Sequence, residues 1–470
     1  MFGPKVPSLE TNDAAQDLTS GRKSVKLKLW SLVVATFFMV SGGTYGTEDI
    51  VHGAGYGRAI LILLLTPVLW SLPTAFMIGE LASALPKEGG YYAWVRRALG
   101  DCWGFQEAWL SLAASVFDMA IYPTLFVVYL TRLFPWFAVS YRGVIVGVAV
   151  VVVCAGLNIA GIKVVATTSI WLFCLLSAPF AVIVIMAPFR YGALAHAVTA
   201  PTTVHVGIIG GLLIAMWNYM GWDNASTIAA EVSQPQQAYP RAMMAAVVLV
   251  AVSYILPVAA VAMTRLSPAA WETGSWADIA NMLGGPMLQT GIVLGGMMSA
   301  FGMFNALVMS YSRLPFAMAQ DGMLPGVFAK VNQRTQAPWV AIVVLATGWA
   351  LCLGLGFERL VTLDVLVYGG SLFLEFLALV VLRVTEPSLL RPFKVPGGVL
   401  GAIFVGVVPM LLLVFSLVRG EREQILGING LIFGGILVAA GFILYGLDAA
   451  LRPVREVAAS GVTSRVEDPD

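Results

Sequence analysis

Ser41-Gly42-Gly43-Thr44-Tyr45-Gly46-Thr47-Glu48-Asp49 interrupts an apolar segment that is otherwise long enough to cross a membrane. Three glycines and two acids stand where an unbroken helix would carry aliphatic residues. The bilayer core offers no hydrogen bonds to loose peptide groups, so such a break must be buried in protein or line a cavity. A second break, WNYMGWDN at 217–224, lies in a later apolar segment. Paired breaks at membrane depth are typical of the binding sites of secondary transporters.

The composition predicts an all-α membrane protein. The chain is 59% hydrophobic and 11% charged, whereas soluble domains carry about 25% charged residues. Apolar segments long enough to span a bilayer are predicted at 28–55, 57–84, 103–131, 143–160, 164–187, 204–232, 242–263, 286–318, 338–356, 360–382, 400–418 and 427–449. The short connections leave no room for a soluble enzyme domain, and the net charge of +1 gives no indication of a nucleic-acid partner.

The orientation of the two interrupted segments predicts an inverted repeat. Both breaks fall near the middle of their spans, but the first span and the sixth run in opposite directions. This arrangement is that of the leucine-transporter fold, which we expect here with twelve helices and a 5+5 inverted repeat. We expect one repeat at 28–187, the second at 204–382 and two further spans at 400–449. The polar ends, 1–27 and 450–470, are predicted to be tails.

The distribution of basic residues predicts the orientation in the membrane. With a cytoplasmic N-terminus, nineteen of the 27 Lys and Arg residues fall on the inner side. This bias fits the positive-inside rule, so we expect both termini in the cytoplasm and the chain in the cell membrane. Glu80 and Glu231 lie near inner ends, where ion pairs with Arg96, Arg97 or Arg241 are expected.

Several motifs make the chain resemble the amino acid–polyamine–organocation superfamily, within the branch of polyamine uptake permeases and L-type amino acid transporters. The motif typical of the superfamily is SRLPFAMAQDGMLP at 312–325, with RTQAP at 334–338. Those typical of the branch are WSLP at 70–73, GGY at 89–91, WGFQ at 103–106, Asp118, Tyr122-Pro123, and 217–231. The resemblance implies alternating access around a substrate held between the broken helices.

The first break supplies candidate substrate ligands. Glycines leave amides uncovered, and the half-helix that restarts there points its positive end at the gap, which suits an anion. The resemblance implies that this loop binds the substrate carboxylate in amino acid members. A kink used only for close helix packing is the alternative. The candidate residues here are Ser41, Gly42, Gly43, Thr44, Tyr45 and Gly46.

Acids at membrane depth are the second group of candidates. Glu48 begins the restarted half-helix, Asp118 lies in the middle of span 3 one turn before Tyr122, and Glu375 lies inside span 10. Such acids are costly and are functional candidates by default. Glu48 and Asp118 are expected to bind a cationic amine or a proton, and Glu375 is a third candidate for proton coupling. The alternatives are helix-dipole stabilisation for Glu48 and structural hydrogen bonds for Asp118 and Glu375.

The second break adds aromatic candidates. The resemblance implies that Trp217 is the aromatic gate over the substrate, and Gly221 is the expected hinge. Asp223 would complete an acidic cluster with Glu48 and Asp118. Aromatic rings can also hold ammonium groups, although each ring here could instead serve packing alone. The remaining candidates are Asn218, Tyr219 and Trp222.

These features predict a secondary active transporter of amino acids or polyamines. The predicted cluster of Glu48, Asp118 and Asp223 favours a cationic amine, and proton symport is a further expectation. The alternatives are an L-type-like carrier of neutral amino acids and a nutrient sensor that does not transport. We expect no cofactor, no metal and no enzyme activity, because metal-ligand and catalytic motifs are missing from the sequence. The sequence gives no indication of a partner subunit.

Overall fold

The structure, a computed structural model, describes residues 26–195, 208–353, 357–420, 424–425 and 428–463. Most of the predicted N-terminal tail, residues 464–470 and the first residues of predicted span 6 lie outside these ranges. The regular secondary structure of the described residues is helical apart from a short hairpin. Nine of their helices are long and apolar enough to cross a membrane.

The helices are α1 Leu29–Val40, α2 Glu48–Thr66, α3 Leu72–Ala84, α4 Tyr91–Leu99, α5 Asp101–Leu133, α6 Ser140–Ile159, α7 Ile162–Met186, α8 Ile208–Asn218, α9 Pro235–Met263, α10 Trp276–Tyr311, α11 Arg313–Gln320, α12 Trp339–Leu351, α13 Phe357–Thr385, α14 Gly398–Gly420 and α15 Gly430–Thr463. A π-helical turn lies at Pro67–Ser71, a 3-10 segment at Trp222–Glu231, and shorter 3-10 turns at Pro135–Ala138, Ala187–Arg190, Pro268–Ala270 and Gly326–Ala329. The hairpin pairs β1 Gln424–Ile425 with β2 Ile428–Asn429.

Two backbone kinks lie where the sequence predicts span boundaries. Gly55, with φ 71°, bends α2 between predicted spans 1 and 2, and Gly285, with φ 75°, bends α10 just before predicted span 8. Glycine adopts this left-handed region without the steric cost that a Cβ would impose. Beyond the predicted last span, α15 continues to Thr463.

Both predicted helix breaks are present. α1 ends at Val40 and α2 begins at Glu48, with Ser41 extended between them. α8 ends at Asn218, and the chain resumes as the 3-10 segment at Trp222. Both breaks are buried within the helix bundle, which is the condition for non-helical backbone at membrane depth.

The long helix α5 carries acids into the buried centre of the bundle. It packs along α10 and α13, and its inner positions bury Glu107, Ser111, Ser115, Asp118 and Tyr122. These polar residues recur every three or four positions, so they share one face of the helix. α5 therefore presents a polar stripe to the breaks.

Candidate functional site

The first break uses two of its own glycine amides. The amide of Gly43 donates to the Ser41 hydroxyl at 3.0 Å. The amide of Gly46 donates to Oε2 of Glu48 at 2.6 Å. The protein's own oxygen atoms therefore occupy two of the donors that the sequence offers to an anion.

Glu48 is enclosed by protein donors. Its Oε1 accepts from the Tyr129 hydroxyl at 2.5 Å and from the Gly274 amide at 3.2 Å, and its side chain is fully buried. With the Gly46 bond, three donors stabilise this carboxylate in the first turn of α2, where the helix dipole also favours an anion. Glu48 therefore ties the first break to α5 and to the turn before α10.

The two breaks touch each other. Gly221 has φ 85°, and a Cβ added there would lie 2.6 Å from the Met39 carbonyl oxygen, so only glycine fits this left-handed position. Asn218 donates from Nδ2 to the Gly46 carbonyl at 3.1 Å. Tyr254 donates to the Asn218 carbonyl at 2.6 Å. Carbonyls freed by the breaks are thus paired across them, as burial requires.

A small cavity lies where the breaks meet, with a volume of about 20 Å³. A cavity of this size holds about one water molecule. Its lining comes from both breaks and from α5, α10 and α13: Met39, Val40, Gly42, Tyr45, Asp118, Tyr122, Leu125, Tyr129, Trp217, Asn218, Met220, Gly221, Asn224, Gly296, Ser299, Ala300, Met303, Tyr311, Asp364 and Tyr368.

Asp118 is the most strongly hydrogen-bonded acid of this lining. Its Oδ1 accepts from the Tyr122 hydroxyl at 2.5 Å and its Oδ2 from the Tyr311 hydroxyl at 3.3 Å. Tyr122 comes one turn later on the same face of α5, as its i, i+4 spacing predicts. None of the ion pairs that the described residues make includes Asp118. The only donors shown at this carboxylate are thus neutral.

Asp364 is a cavity acid that the sequence analysis missed. It is 3% exposed, lies on α13 and faces the same cavity as Asp118. Tyr368 follows at i+4, which repeats the spacing of Asp118 and Tyr122 on α5. That repeated acid–tyrosine spacing was the available signal. Tyr311 and Tyr129 were also missed, because only their contacts with Asp118 and Glu48 reveal a role.

A further group of acids lies beside the cavity. Asp223 accepts a hydrogen bond from Tyr368, and its charge interacts with Glu107 and Glu375. Glu107 accepts from the Ser111 hydroxyl at 2.8 Å. Both glutamates are fully buried. Asp223 thus connects the cavity acids with two deeper carboxyls on α5 and α13.

The structure divides the candidate residues of the sequence analysis into two groups. The cavity lining includes Gly42, Tyr45, Asp118, Tyr122, Trp217, Asn218 and Gly221. Behind that lining lie Ser41, Gly43, Thr44, Gly46, Glu48, Tyr219, Trp222 and Asp223, all of them buried. Thr44 and Tyr219 bond to backbone carbonyls of Ser253 and Leu63, so both side chains brace the breaks.

At the end of the bundle that carries α4, buried acids are paired with arginines. Glu80 forms a salt bridge with Arg383, contacts Arg391 at 3.2 Å, and accepts from the Val395 amide at 2.7 Å. Glu231 pairs with Arg313 at 2.8 Å. Ion pairing of both glutamates was expected, but the predicted arginine partners were wrong.

Glu88 lies in the loop before α4 at the same end. Burial raises its pKa to about 7; the nearby Arg313 opposes this shift and Glu231 adds to it.

The amides of Leu27 and Ser233 join the start of α1 to the end of the 3-10 segment through backbone hydrogen bonds of 2.8 and 2.9 Å. The two broken elements are therefore held together at this end.

Toward the opposite end, polar contacts join the region of the first break to the start of α10 and the turn before it. The Trp276 indole donates to the Thr44 carbonyl at 3.2 Å, and Thr273 donates to Asp49 at 2.9 Å. Within the described ranges, no group of three or more His, Cys, Asp or Glu side chains is arranged to hold a metal ion.

Comparison with known proteins identifies the family. The model of the amino acid permease family matches residues 32–438. "Polyamine transporter RMV1" of Arabidopsis thaliana is 35% identical over 83% of this chain and 79% of its own length. "Polyamine transporter PUT1" of Oryza sativa is 34% identical over 87% and 77%. "Uncharacterized transporter Rv1999c" of Mycobacterium tuberculosis is 27% identical over 67% and 70%.

These matches confirm the resemblance that the sequence motifs indicate. The family and the apolar helices together make this a multi-pass membrane protein. Because the family match covers most of the chain and relatives above 30% identity cover over four fifths of it, the chain belongs to the amino acid permease family of the amino acid–polyamine–organocation superfamily.

Proposed function

We propose that this protein is a secondary transporter that imports a cationic amine, a polyamine in the first place, by alternating access. One observation carries the proposal: Asp118 and Asp364 face a single cavity between the two helix breaks. Tyrosines surround these acids, and no ion pair of the described residues includes either of them. A bound ammonium group would supply the missing positive charge.

The free-energy cost of placing ionised aspartates inside the membrane supports a cationic substrate. Placing a charged aspartate at the centre of a membrane costs about 2.5–3.5 kcal/mol on insertion scales. Hydrogen bonds from Tyr122 and Tyr311 offset part of that cost for Asp118. The Trp217 and Tyr45 rings in the same lining can add cation–π attraction of about 0.5–2 kcal/mol.

The first break argues against a carboxylate as the main recognised group. The Gly43 and Gly46 amides already donate to Ser41 and Glu48. A substrate carboxylate would also lie close to two aspartates, which is unfavourable. The relatives named polyamine transporters match this chain over most of their length, and their names point to the same class of substrate.

The proposed architecture is the one expected from the sequence. Twelve crossings form inverted repeats at 28–187 and 204–382, followed by two spans at 400–449. The excess of basic residues near α4 and α11 favours the cytoplasm for this end and for both termini, in the cell membrane. Because the cavity holds little more than a water molecule, loading requires the broken helices to move relative to α5, α10 and α13.

The membrane potential can drive the import of a cation without further coupling. Each positive charge gains about 2.3 kcal/mol per 100 mV. Proton symport is proposed in addition, with Glu48, Asp118 and Glu375 as candidate groups. Ser41, Gly42, Gly43, Thr44, Tyr45, Gly46, Trp217, Asn218, Tyr219, Gly221, Trp222 and Asp223 complete the proposed site, as lining or as its support.

Uptake by purified protein in liposomes tests the proposal. Labelled putrescine, arginine and leucine are offered separately, with an inside-negative potential. We expect putrescine to accumulate, and to do so faster as the potential grows. Accumulation of leucine alone would favour a neutral amino acid carrier, and binding without accumulation of any compound would favour a sensor.

A further inference from the structure

Glu107 and Glu375 form a second, deeper pair of acids on the same two helices. Glu107 precedes Asp118 by eleven residues on α5, and Glu375 follows Asp364 by eleven on α13. Eleven residues are close to three helical turns, so Glu107 and Asp118 share one face of α5, about 16 Å apart. Asp364 and Glu375 are related in the same way on α13. Because α5 and α13 pack together along their lengths, the two glutamates meet at a level nearer to α4.

The deeper pair lacks the partners that stabilise buried ionised acids. Both oxygens of Glu375 and the Oε2 atom of Glu107 make no hydrogen bond with the described residues. Both side chains are fully buried. The hydroxyl of Tyr91, from α4, is also buried and makes no hydrogen bond. Its charge interactions are with Glu107, Asp223 and Glu375, so it faces this cluster.

Among the described residues, the charged and titratable groups shown to act on the pair are acidic or phenolic. Asp223 faces it from the 3-10 segment, Tyr91 from α4 and Tyr368 from α13. No lysine, arginine or histidine is among the groups that the structure shows acting on Glu107 or Glu375. Facing carboxylates that are both ionised, dry and without a cation repel each other, so one of them must carry a proton.

We infer that Glu107 and Glu375 form a proton-binding site, distinct from the amine site at Asp118 and Asp364, and that this proton is the coupled ion of transport. The coupling role of this proton rests on the proposed function, but the existence of the proton site does not. The bound proton forms an O–H on one of the two carboxyls, so that only the other remains an anion. Asp223 lies between the two acid pairs, and its charge interacts with both of them.

The location of the pair links release of the proton to opening of the cytoplasmic side. α4 and the 3-10 segment cover the pair on the side proposed to be cytoplasmic. When that side opens, water reaches the glutamates and the proton leaves to the cytoplasm. A rise in cytoplasmic pH should therefore favour release.

Infrared spectroscopy of the full-length wild-type protein tests the site directly. Protonated carboxyls give a C=O band that ionised ones lack, and ¹³C-labelled glutamate shifts this band if a glutamate carries the proton. We expect a label-sensitive band that disappears when the pH is raised. Its absence in the wild type at every pH would overturn the proton site.

Glu107→Gln and Glu375→Gln assign the band, with Glu386→Gln at the exposed end of the same helix as the matched control. We expect each of the first two variants to lose the titrating band, and the control to keep it. In liposomes, the first two variants should also lose the stimulation of uptake by alkaline interior pH. A band unchanged in both variants would overturn the assignment.

The two proposals fail in different ways. A wild-type protein that keeps the titrating band but takes up no polyamine would overturn the proposed function and leave the proton site standing. Polyamine uptake with unchanged dependence on interior pH in both variants would overturn the coupling role and leave the function standing.

Discussion

Buried acids occur in two regions of this bundle, and they are stabilised differently. Near α4, Glu80 lies between Arg383 and Arg391, and Glu231 pairs with Arg313. At the cavity, the donors to Asp118 are neutral: the hydroxyls of Tyr122 and Tyr311 and the side chain of Trp217. The chain supplies its own cation where it joins helices together. Under the proposed function, a bound substrate supplies the positive charge where the two breaks meet.

The largest expected effect comes from removing the charge at the cavity. Asp118→Asn keeps the side-chain volume but removes the counter-charge of a bound ammonium group, and breaking a buried pair costs about 3–5 kcal/mol. Uptake of putrescine should fall at least about a hundredfold in kcat/KM. Asp278→Asn, at the exposed ion pair with Arg132, is the control. Unchanged kinetics in Asp118→Asn would remove that residue from the site.

Glu80→Gln should act on stability and not on recognition. It leaves Arg383 buried without its counter-charge, which should lower the free energy of unfolding by about 3 kcal/mol. Thermal unfolding in detergent measures this. Asp118→Asn removes an acid that has no ion partner, so its unfolding temperature should stay the same or rise. Equal losses of stability in both variants would erase the distinction between the two regions.

Glu88 is an intermediate case, with Arg313 nearby but without an ion pair to any residue that the structure describes. Its pKa of about 7 lies above the ordinary value, so the folded state binds the proton more tightly than the unfolded state. This contribution is full below about pH 4.5 and is lost as the pH rises through 7, by at most about 3 kcal/mol. Glu88→Gln cannot ionise and should keep that stability.

Unfolding temperatures measured from pH 5 to pH 8 test the Glu88 prediction. The wild-type protein should lose stability relative to Glu88→Gln over this range. Parallel curves for the two proteins would show that Glu88 is solvated and carries no such contribution.

The smallest effect is expected at the exposed pair of Arg97 and Glu386. Hydrogen bonds from the guanidinium, at 2.6 and 2.8 Å, lower the pKa of Glu386. The resulting stability is present above the ordinary glutamate pKa and is lost as the pH falls through the lowered value. Because both side chains are about a third exposed, Glu386→Gln should cost less than about 1 kcal/mol near neutral pH. A loss as large as that of Glu80→Gln would contradict the comparison.

The sequence predicted the breaks because their cause is local. Glycines and acids inside an apolar segment are visible in any single chain, and Gly221 indeed takes a left-handed conformation that a side chain would disfavour. Asp118 was found for the same reason, since an acid in the middle of a span stands out. The candidate roles of these residues stay predictions, with a structure that brings many of them to one cavity.

The missed features depend on contacts between distant parts of the chain. Glu48 meets Tyr129 and Gly274, which lie 81 and 226 residues away, so these two of its three donors could not be read from its neighbours. Asp364 falls near the predicted start of its span, so it did not stand out as an acid in the middle of the membrane. Its depth depends on how α13 lies against α5. The arginine partners of Glu80 and Glu231 were wrong because long side chains reach across the fold.

Calorimetric titration of purified protein with putrescine and with leucine, in wild type and Asp364→Asn, tests the central claim most directly. We expect the wild type to bind putrescine and not leucine, and Asp364→Asn to lose most of this binding while it still folds. Binding of leucine without putrescine, or putrescine binding unaffected by Asp364→Asn, would contradict it.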